Sequence, residues 1–244
     1  SSWAPVPRQF ASITSAFTGT LVWDEQPPTV GSNISVIPYF SGASSKNHEA
    51  RTPANSNMDA GLDAKLALGS TLNLDLTVNP DFSQVEVDQQ QTNLDRFELF
   101  FPERRQFFLE NDDLFNNLGM ERIRPFFSRR IGLGAPIDFG ARVSGKLNNN
   151  LRIGAMNIKT GRVDKESTAA QNFSVLTLQQ KVFARSNVTA FVINKSAIGE
   201  GEENFNRNIG LEYNLASKNN AWTGKFMYYN SANQLKLGDN ATFA

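Results

Sequence analysis

The chain alternates. In residues 58–68, "MDAGLDAKLAL", Ala60, Leu62, Ala64, Leu66 and Leu68 fall on one side of an extended backbone, and Asp59, Asp63 and Lys65 on the other. Residues 71–79 repeat the pattern, with Leu72, Leu74, Leu76 and Val78 against Asn73, Asp75, Thr77 and Asn79. Successive strand side chains point to opposite faces, so a strict period of two predicts strands with one wet and one apolar face. Gly69-Ser70 between the two runs predicts a hairpin turn. The same rhythm returns at 16–24 (Phe17, Leu21, Trp23), 32–40 (Ile34, Val36, Pro38, Phe40), 137–147, 151–159, 173–184, 187–194, 208–216 and 221–230. Roughly ten strands joined mostly by short turns make an all-β, antiparallel meander. No βαβ spacing and no glycine-rich phosphate loop interrupts it.

Residues 80–125 break the alternation. "TNLDRFELFF" (92–101) places Leu94, Phe97 and Phe101 at helical spacing, with Pro102 as a stop. The expected continuation is an extended "RQFFLE" (105–110), a loop, and a strand at "PFFSRRIGL" (125–133). Within 96–110, five phenylalanines share fifteen positions with six charged side chains: Arg96, Glu98, Glu103, Arg104, Arg105 and Glu110. Apolar flanks would desolvate unpaired arginines at high cost, so these six are expected to form a paired polar network.

Alternation fits both a soluble β-sandwich and a barrel with lipid outside and a wet lumen. Charges in mid-strand (Asp63, Lys65, Asp75, Arg142, Glu212), aromatics near strand ends (Trp23, Phe40, Trp222, Tyr228, Tyr229) and runs of about nine to eleven residues favour the barrel. Mean hydropathy is −0.37, as an average of lipid-facing and lumenal positions allows. The competing reading is a soluble secreted sandwich binding polysaccharide, with Trp23, Trp222 and Tyr228 as stacking platforms.

Composition removes several chemistries. Lys plus Arg and Asp plus Glu are 24 each, and this zero balance argues against a nucleic-acid partner. Cysteine is absent, which excludes disulfides, thiolate nucleophiles and zinc–thiolate sites. His48 is the only histidine and lies in a polar loop pattern, with no serine–histidine arrangement around it. Asp81, Glu86 and Asp88 form a candidate cation-binding group; otherwise no metal, cofactor or catalytic constellation is expected, and no enzymatic activity. Five N-x-[ST] matches fall mostly in or beside strand patterns and read as chance in an asparagine-rich chain.

The stretch "LDLTVNPDFSQVEVDQQQTNLDRFELFFPERRQFFLENDDLF", followed by "PFFSRRIGL", resembles the barrel domain of a Bacteroidota outer-membrane family labelled "carbohydrate-binding family 9 domain-containing protein". The likeness is carried by Asn79 to Phe82, Glu86, Asp88, Asn93, Leu94, Arg96 to Glu98, Phe100 to Arg105, Phe107 to Glu110 and Ser128 to Gly132; Gln106 stands where proline is commoner. The resemblance implies a Gram-negative outer-membrane barrel following a sugar-binding-like sandwich. Residues 1–244 are then expected to be the N-terminal part of one barrel domain, lacking that sandwich. The insert at about 80–125 is expected in the lumen or over the periplasmic mouth, giving a gated or plugged barrel for transport, tethering or assembly at the cell surface. The implied partners are outer-membrane lipid, other outer-membrane or surface proteins, and glycans through the missing domain.

Overall fold

A computed structural model describes residues 22, 24, 33–46, 55–80, 101–120, 123–163, 169–199, 204–219, 221–233 and 239–243. Ten strands form one sheet in strict sequence order: β1 (Ile34–Ser45), β2 (Asn55–Leu68), β3 (Leu72–Val78), β4 (Ile137–Lys146), β5 (Leu151–Thr160), β6 (Ala170–Val182), β7 (Ser186–Ile198), β8 (Phe205–Ala216), β9 (Thr223–Asn233) and β10 (Asp239–Phe243). Every neighbouring pair is antiparallel. Among the described residues β1 and β10 each have one neighbour, so the sheet is open, and no second sheet packs on it. The run at 16–24 lies outside the described residues, apart from Val22 and Asp24. The short polar β10 was not foreseen.

The register turns alternation into continuous rows. Ile34, Leu66, Leu74, Val143, Ala155, Leu176, Val192 and Ile209 stand side by side across β1 to β8. These apolar positions lie on a face that none of the described residues covers; Val36, Leu176 and Ile209 are 55%, 42% and 47% exposed. The adjacent row on the other face reads Lys65, Asp75, Arg142, Met156, Val175, Ile193, Asn208 and Ser231. Most of that second face is buried, polar groups included: Arg142 and Glu212 are 1% exposed and Thr177 is 0%, while Lys65 at its margin is exposed. Soluble one-sided sheets put charge outward and apolar residues inward. Here the face turned to the excursion holds charged side chains alongside the apolar core residues of β5 to β9, and the opposite face is apolar across the strands.

What buries the polar face is the connection between β3 and β4. The excursion leaves after Val78 and returns at Ile137, longer than the 80–125 expected from the pattern. Asn79, at φ +46°, turns the chain out of β3. Its exit is pinned by its side chain donating to the Ala60 carbonyl and by the Tyr39 hydroxyl donating to its own carbonyl. Re-entry is marked by a bulge between Ile137 and Phe139.

Two expectations for the excursion fail. Residues 105–110 are not extended, because Gln106–Leu109 forms a helical turn, α1. A strand would send Phe107 and Phe108 to opposite faces, whereas the turn buries both, edge to face, at 5.1 Å between ring centroids. No strand forms at 125–133; Ser128–Arg130 is a turn of 3-10 helix. A second short helix, α2 (Asp113–Asn116), buries Leu114 and Phe115. The expected helix at 92–101 lies outside the described residues except for Phe101.

The core lies between excursion and sheet: Phe107, Phe108, Leu114, Phe115, Leu118, Phe126 and Ile131 pack against Met156, Ile158, Val175, Phe191, Ile193, Met227 and Tyr229. Two strand glycines make the seats. A Cβ on Gly140 would lie 3.1 Å from the Phe107 ring and 2.8 Å from the Thr77 methyl, and one on Gly154 would lie 2.8 Å from Phe115. Gly154→Ala is therefore expected to cost about 1–3 kcal/mol in urea unfolding, through overpacking against a held ring. Gly42→Ala, where a Cβ meets nothing within 4 Å, should stay within about 0.5 kcal/mol of the parent.

Candidate functional site

The candidate site is the seated excursion, residues 101–136, and the wall beneath it. Its internal lock is Glu103. One carboxylate oxygen accepts the backbone N–H of Arg104 at 3.0 Å, the N–H of Arg105 at 2.9 Å and the Arg105 Nε at 2.9 Å. The other accepts Arg105 Nη2 at 2.8 Å and the Ser128 hydroxyl at 2.6 Å. Arg105 continues across the fold, donating to the Ile131 carbonyl at 2.6 Å and the Ser128 carbonyl at 2.7 Å. Its guanidinium lies 4.1 Å from the Phe108 ring centroid. The Glu103 side chain is 2% exposed and that of Arg105 11%, so this planar fork is held in a desolvated setting where charge-assisted bonds are strong. Using Ser128 and Ile131 carbonyls as acceptors is what a strand at 125–133 would have prevented.

The excursion is anchored to the wall by charges along the strands. Glu110 accepts from Lys65 on β2 and Asn73 on β3. Asn111, at φ +48° between the two helical turns, donates to Ser144 on β4 at 3.1 Å. Asp113 takes both terminal nitrogens of Arg152 on β5, at 2.5 and 2.9 Å. Glu212 on β8 accepts the Gly119 N–H at 2.6 Å, the Tyr229 hydroxyl, and Lys225 at 2.8 Å. Lys225 also donates to the Asn117 and Gly119 carbonyls. Beneath Phe107, Asp75 and Arg142 pair directly across β3 and β4 at 2.8 Å. These anchors cluster toward the strand ends joined by the short turns at 69–71, 147–150, 183–185 and 217–222. Toward the opposite ends the contact is mainly apolar, through Phe126, Ile131, Ile158 and Ile193.

Of the six residues expected to form a network, Glu103 and Arg105 face each other directly, Arg104 gives Glu103 its backbone N–H, and Glu110 reaches the wall. Arg96 and Glu98 lie outside the described residues, as do Asp81, Glu86 and Asp88. Among the described residues no group of three or more His, Asp or Glu side chains is placed to hold a metal ion. Sequence reasoning missed Glu212, Lys225, Asp113 and Arg152 as anchors. The diagonal placement of Glu212 and Lys225 on paired strands carried the signal, since Glu212 pairs with Met227, two residues on. Tyr229 also departs from expectation. It is a buried partner of Glu212, not a rim aromatic, whereas Tyr228 and Trp222 are exposed.

Two carboxyls in the excursion are shifted in opposite directions. Burial alone would raise Glu103, but hydrogen bonds and charge from Arg105, with Ser128 and the Arg105 N–H, hold it below its ordinary 4.5. Asp112 is raised by burial, and then by the neighbouring Glu103 and Asp113 charges, against a hydrogen bond from Asn116.

Residues 31–151 match the family described as "Domain of unknown function (DUF5916)", a span covering β1 to β4 and the whole excursion. The likeness concerns that stretch and gives no carbohydrate-binding designation. No curated protein and no solved structure matches the chain.

Glu103→Gln is expected to destabilise the fold by about 3 kcal/mol at pH 7, because it strands a buried guanidinium. The sign with pH follows from the lowered folded value. Glu103 contributes stability above the ordinary 4.5 and loses it as pH falls through the lower folded value. Urea midpoints from pH 7 to pH 3 should therefore fall less steeply for Glu103→Gln than for the parent. Asp112→Asn, which removes a charge that folding disfavours, should leave stability at pH 7 unchanged or higher.

Proposed function

We propose that this chain is part of the wall of an outer-membrane β-barrel, and that the β3–β4 excursion is its plug. The observation that carries the reading is an apolar face, uncovered among the described residues, opposite a covered face that holds charge. An uncovered face of Leu, Ile, Val and Phe extends across the strands, while Asp75, Arg142, Glu212 and Lys225 face a covered interior. Water would penalise so extended an apolar surface, and lipid would favour it. No helix among the described residues is long and apolar enough to cross a membrane, so any crossing would be by strands. The free edges of β1 and β10 would be paired in a closed wall, because open edges cannot be satisfied in lipid.

The connections support an orientation. Short turns join one set of strand ends, and the longer connections at 46–54, 79–136 and 161–169 join the other. In outer-membrane barrels the short turns are periplasmic and the long loops extracellular. The plug would then enter from the extracellular side and reach inward, instead of capping the periplasmic mouth. It leaves a polar cleft of about 380 Å3 on the short-turn side, lined by Asp113, Arg152, Gln179, Thr189 and Glu212 among others. A plug of this kind suits a gated barrel for transport, or a closed one for tethering and assembly, without catalysis. The polysaccharide-binding sandwich is the weaker reading, because the described strands form one sheet.

Fractionation tests the barrel: recovery only with detergent, with heat-modifiable gel migration, is expected, and recovery from cells in plain buffer would overturn it. The plug is tested by replacing both Glu212 and Lys225 with Gln and measuring single-channel conductance in planar bilayers. More frequent or larger openings than the parent are expected. Unchanged conductance with unchanged stability would sink the plug assignment.

A further inference from the structure

The cleft on the short-turn side is built on a row of strand partners. Arg152 of β5, Gln179 of β6, Thr189 of β7 and Glu212 of β8 stand side by side, and Asn187 of β7 pairs with Asn214 of β8 next to them. Residues 113–118 of the excursion supply the other side of a volume of about 380 Å3. That is near the lower end of the roughly 300–1,000 Å3 of small-molecule sites. Every charge in the lining is already matched. Asp113 takes both terminal nitrogens of Arg152, and Glu212 is held by Lys225, the Tyr229 hydroxyl and the Gly119 N–H. Arg152 also donates to Gln179, Gln179 to Thr189, and Thr189 and Asn214 both to Asn187 Oδ1. What this relay leaves over is neutral and two-sided. Among the described residues no partner meets Asn187 Nδ2, a donor, Asn214 Oδ1, an acceptor, or the side-chain amide of Asn117, which is both. The apolar lining residues, Leu114 and Leu118, are 1% and 4% exposed and offer a ligand almost no surface.

We propose that this cleft binds a small neutral cyclic polyol. A hydroxyl both donates and accepts, so adjacent hydroxyls can meet spare donors and acceptors divided between two strands and the excursion. An ion would lose water there and find no uncommitted counter-charge in the lining. An apolar molecule would cover polar groups and gain little burial. A rigid ring gives up less freedom on binding than an open chain carrying the same hydroxyls. The site goes beyond the barrel reading and does not require it, because the cleft lies between described elements whether or not the sheet closes around a lumen.

The probes are radiolabelled myo-inositol and D-glucose, in equilibrium dialysis against the purified full chain with no sugar-headed detergent present. Saturable binding of at least one of them at a single site is expected. Cyclohexanol, with one hydroxyl, and quinate, with a carboxylate, should displace the bound probe about tenfold more weakly than the unlabelled polyol does. Asn117→Ala, at an exposed position whose side chain has no bond to lose among the described residues, should weaken binding about fivefold with the urea midpoint unchanged. Asn187→Ala combined with Asn214→Ala should weaken it at least as much. The proposal is overturned if neither probe saturates, if cyclohexanol or quinate competes equally well, or if Asn117→Ala leaves binding unchanged. None of these outcomes depends on detergent fractionation or conductance, so failure here leaves the barrel reading standing, and the reverse also holds.

Discussion

A charged side chain can be taken from water only where a partner waits for it, and in this fold the partners are divided between sheet and excursion. Lys65, Asn73, Arg152, Glu212 and Lys225 project from five different strands, and residues 110–119 meet them with carboxylates, amides and backbone groups. Remove the excursion and Lys65 and Arg152 would lose their carboxylates, while Glu212 and Lys225 would keep each other and Tyr229 but lose Asn117 and Gly119. Remove the wall and Glu110 and Asp113 would lose their counter-charges. Lys65–Glu110 and Arg152–Asp113 are part-exposed pairs that contribute little net stability, whereas Glu212 is fully buried and costly to strand. Together they fix where the excursion sits, while Phe107, Phe108, Leu114 and Phe115 supply the apolar contact energy.

The rest of the architecture follows from that division. One face is occupied by the excursion through both polar contacts and the core residues Met156, Ile158, Val175 and Ile193, and the apolar residues of the opposite face are covered by none of the described residues. Strand glycines appear where aromatic rings must come close, at Gly140 and Gly154. The internal Glu103–Arg105–Ser128 lock joins residues 103–105 to Ser128 near the return to β4.

Much of the sheet was legible because a period of two admits little ambiguity: Leu72, Leu74, Leu76 and Val78 could only share a face, and their turn fixed their register against β2. Even there, the turn holds three residues, not two, since Leu68 pairs with Leu72. The excursion was harder. Adjacent phenylalanines at 107 and 108 look extended by composition, and only the depth of the site requires both to be buried. Pairing of Arg105 with Glu103 could be anticipated from desolvation, but its use of the Ser128 and Ile131 carbonyls could not, because backbone acceptors leave no mark in a sequence. The polar strand faces advertised buried charge; which insert residue each would meet depended on a path that periodicity does not encode.

The account stands or falls on what the apolar face touches. The natural chain has no cysteine, so single cysteines can be placed at Leu74, Leu176 and Ile209 in one row, and at Asn148 in a short turn, and labelled with a fluorophore in reconstituted vesicles. The account predicts that quenchers carried on lipid tails darken the three row positions while aqueous iodide reaches only Asn148. Iodide quenching the row as efficiently as the turn, with lipid quenchers having no effect, would contradict it.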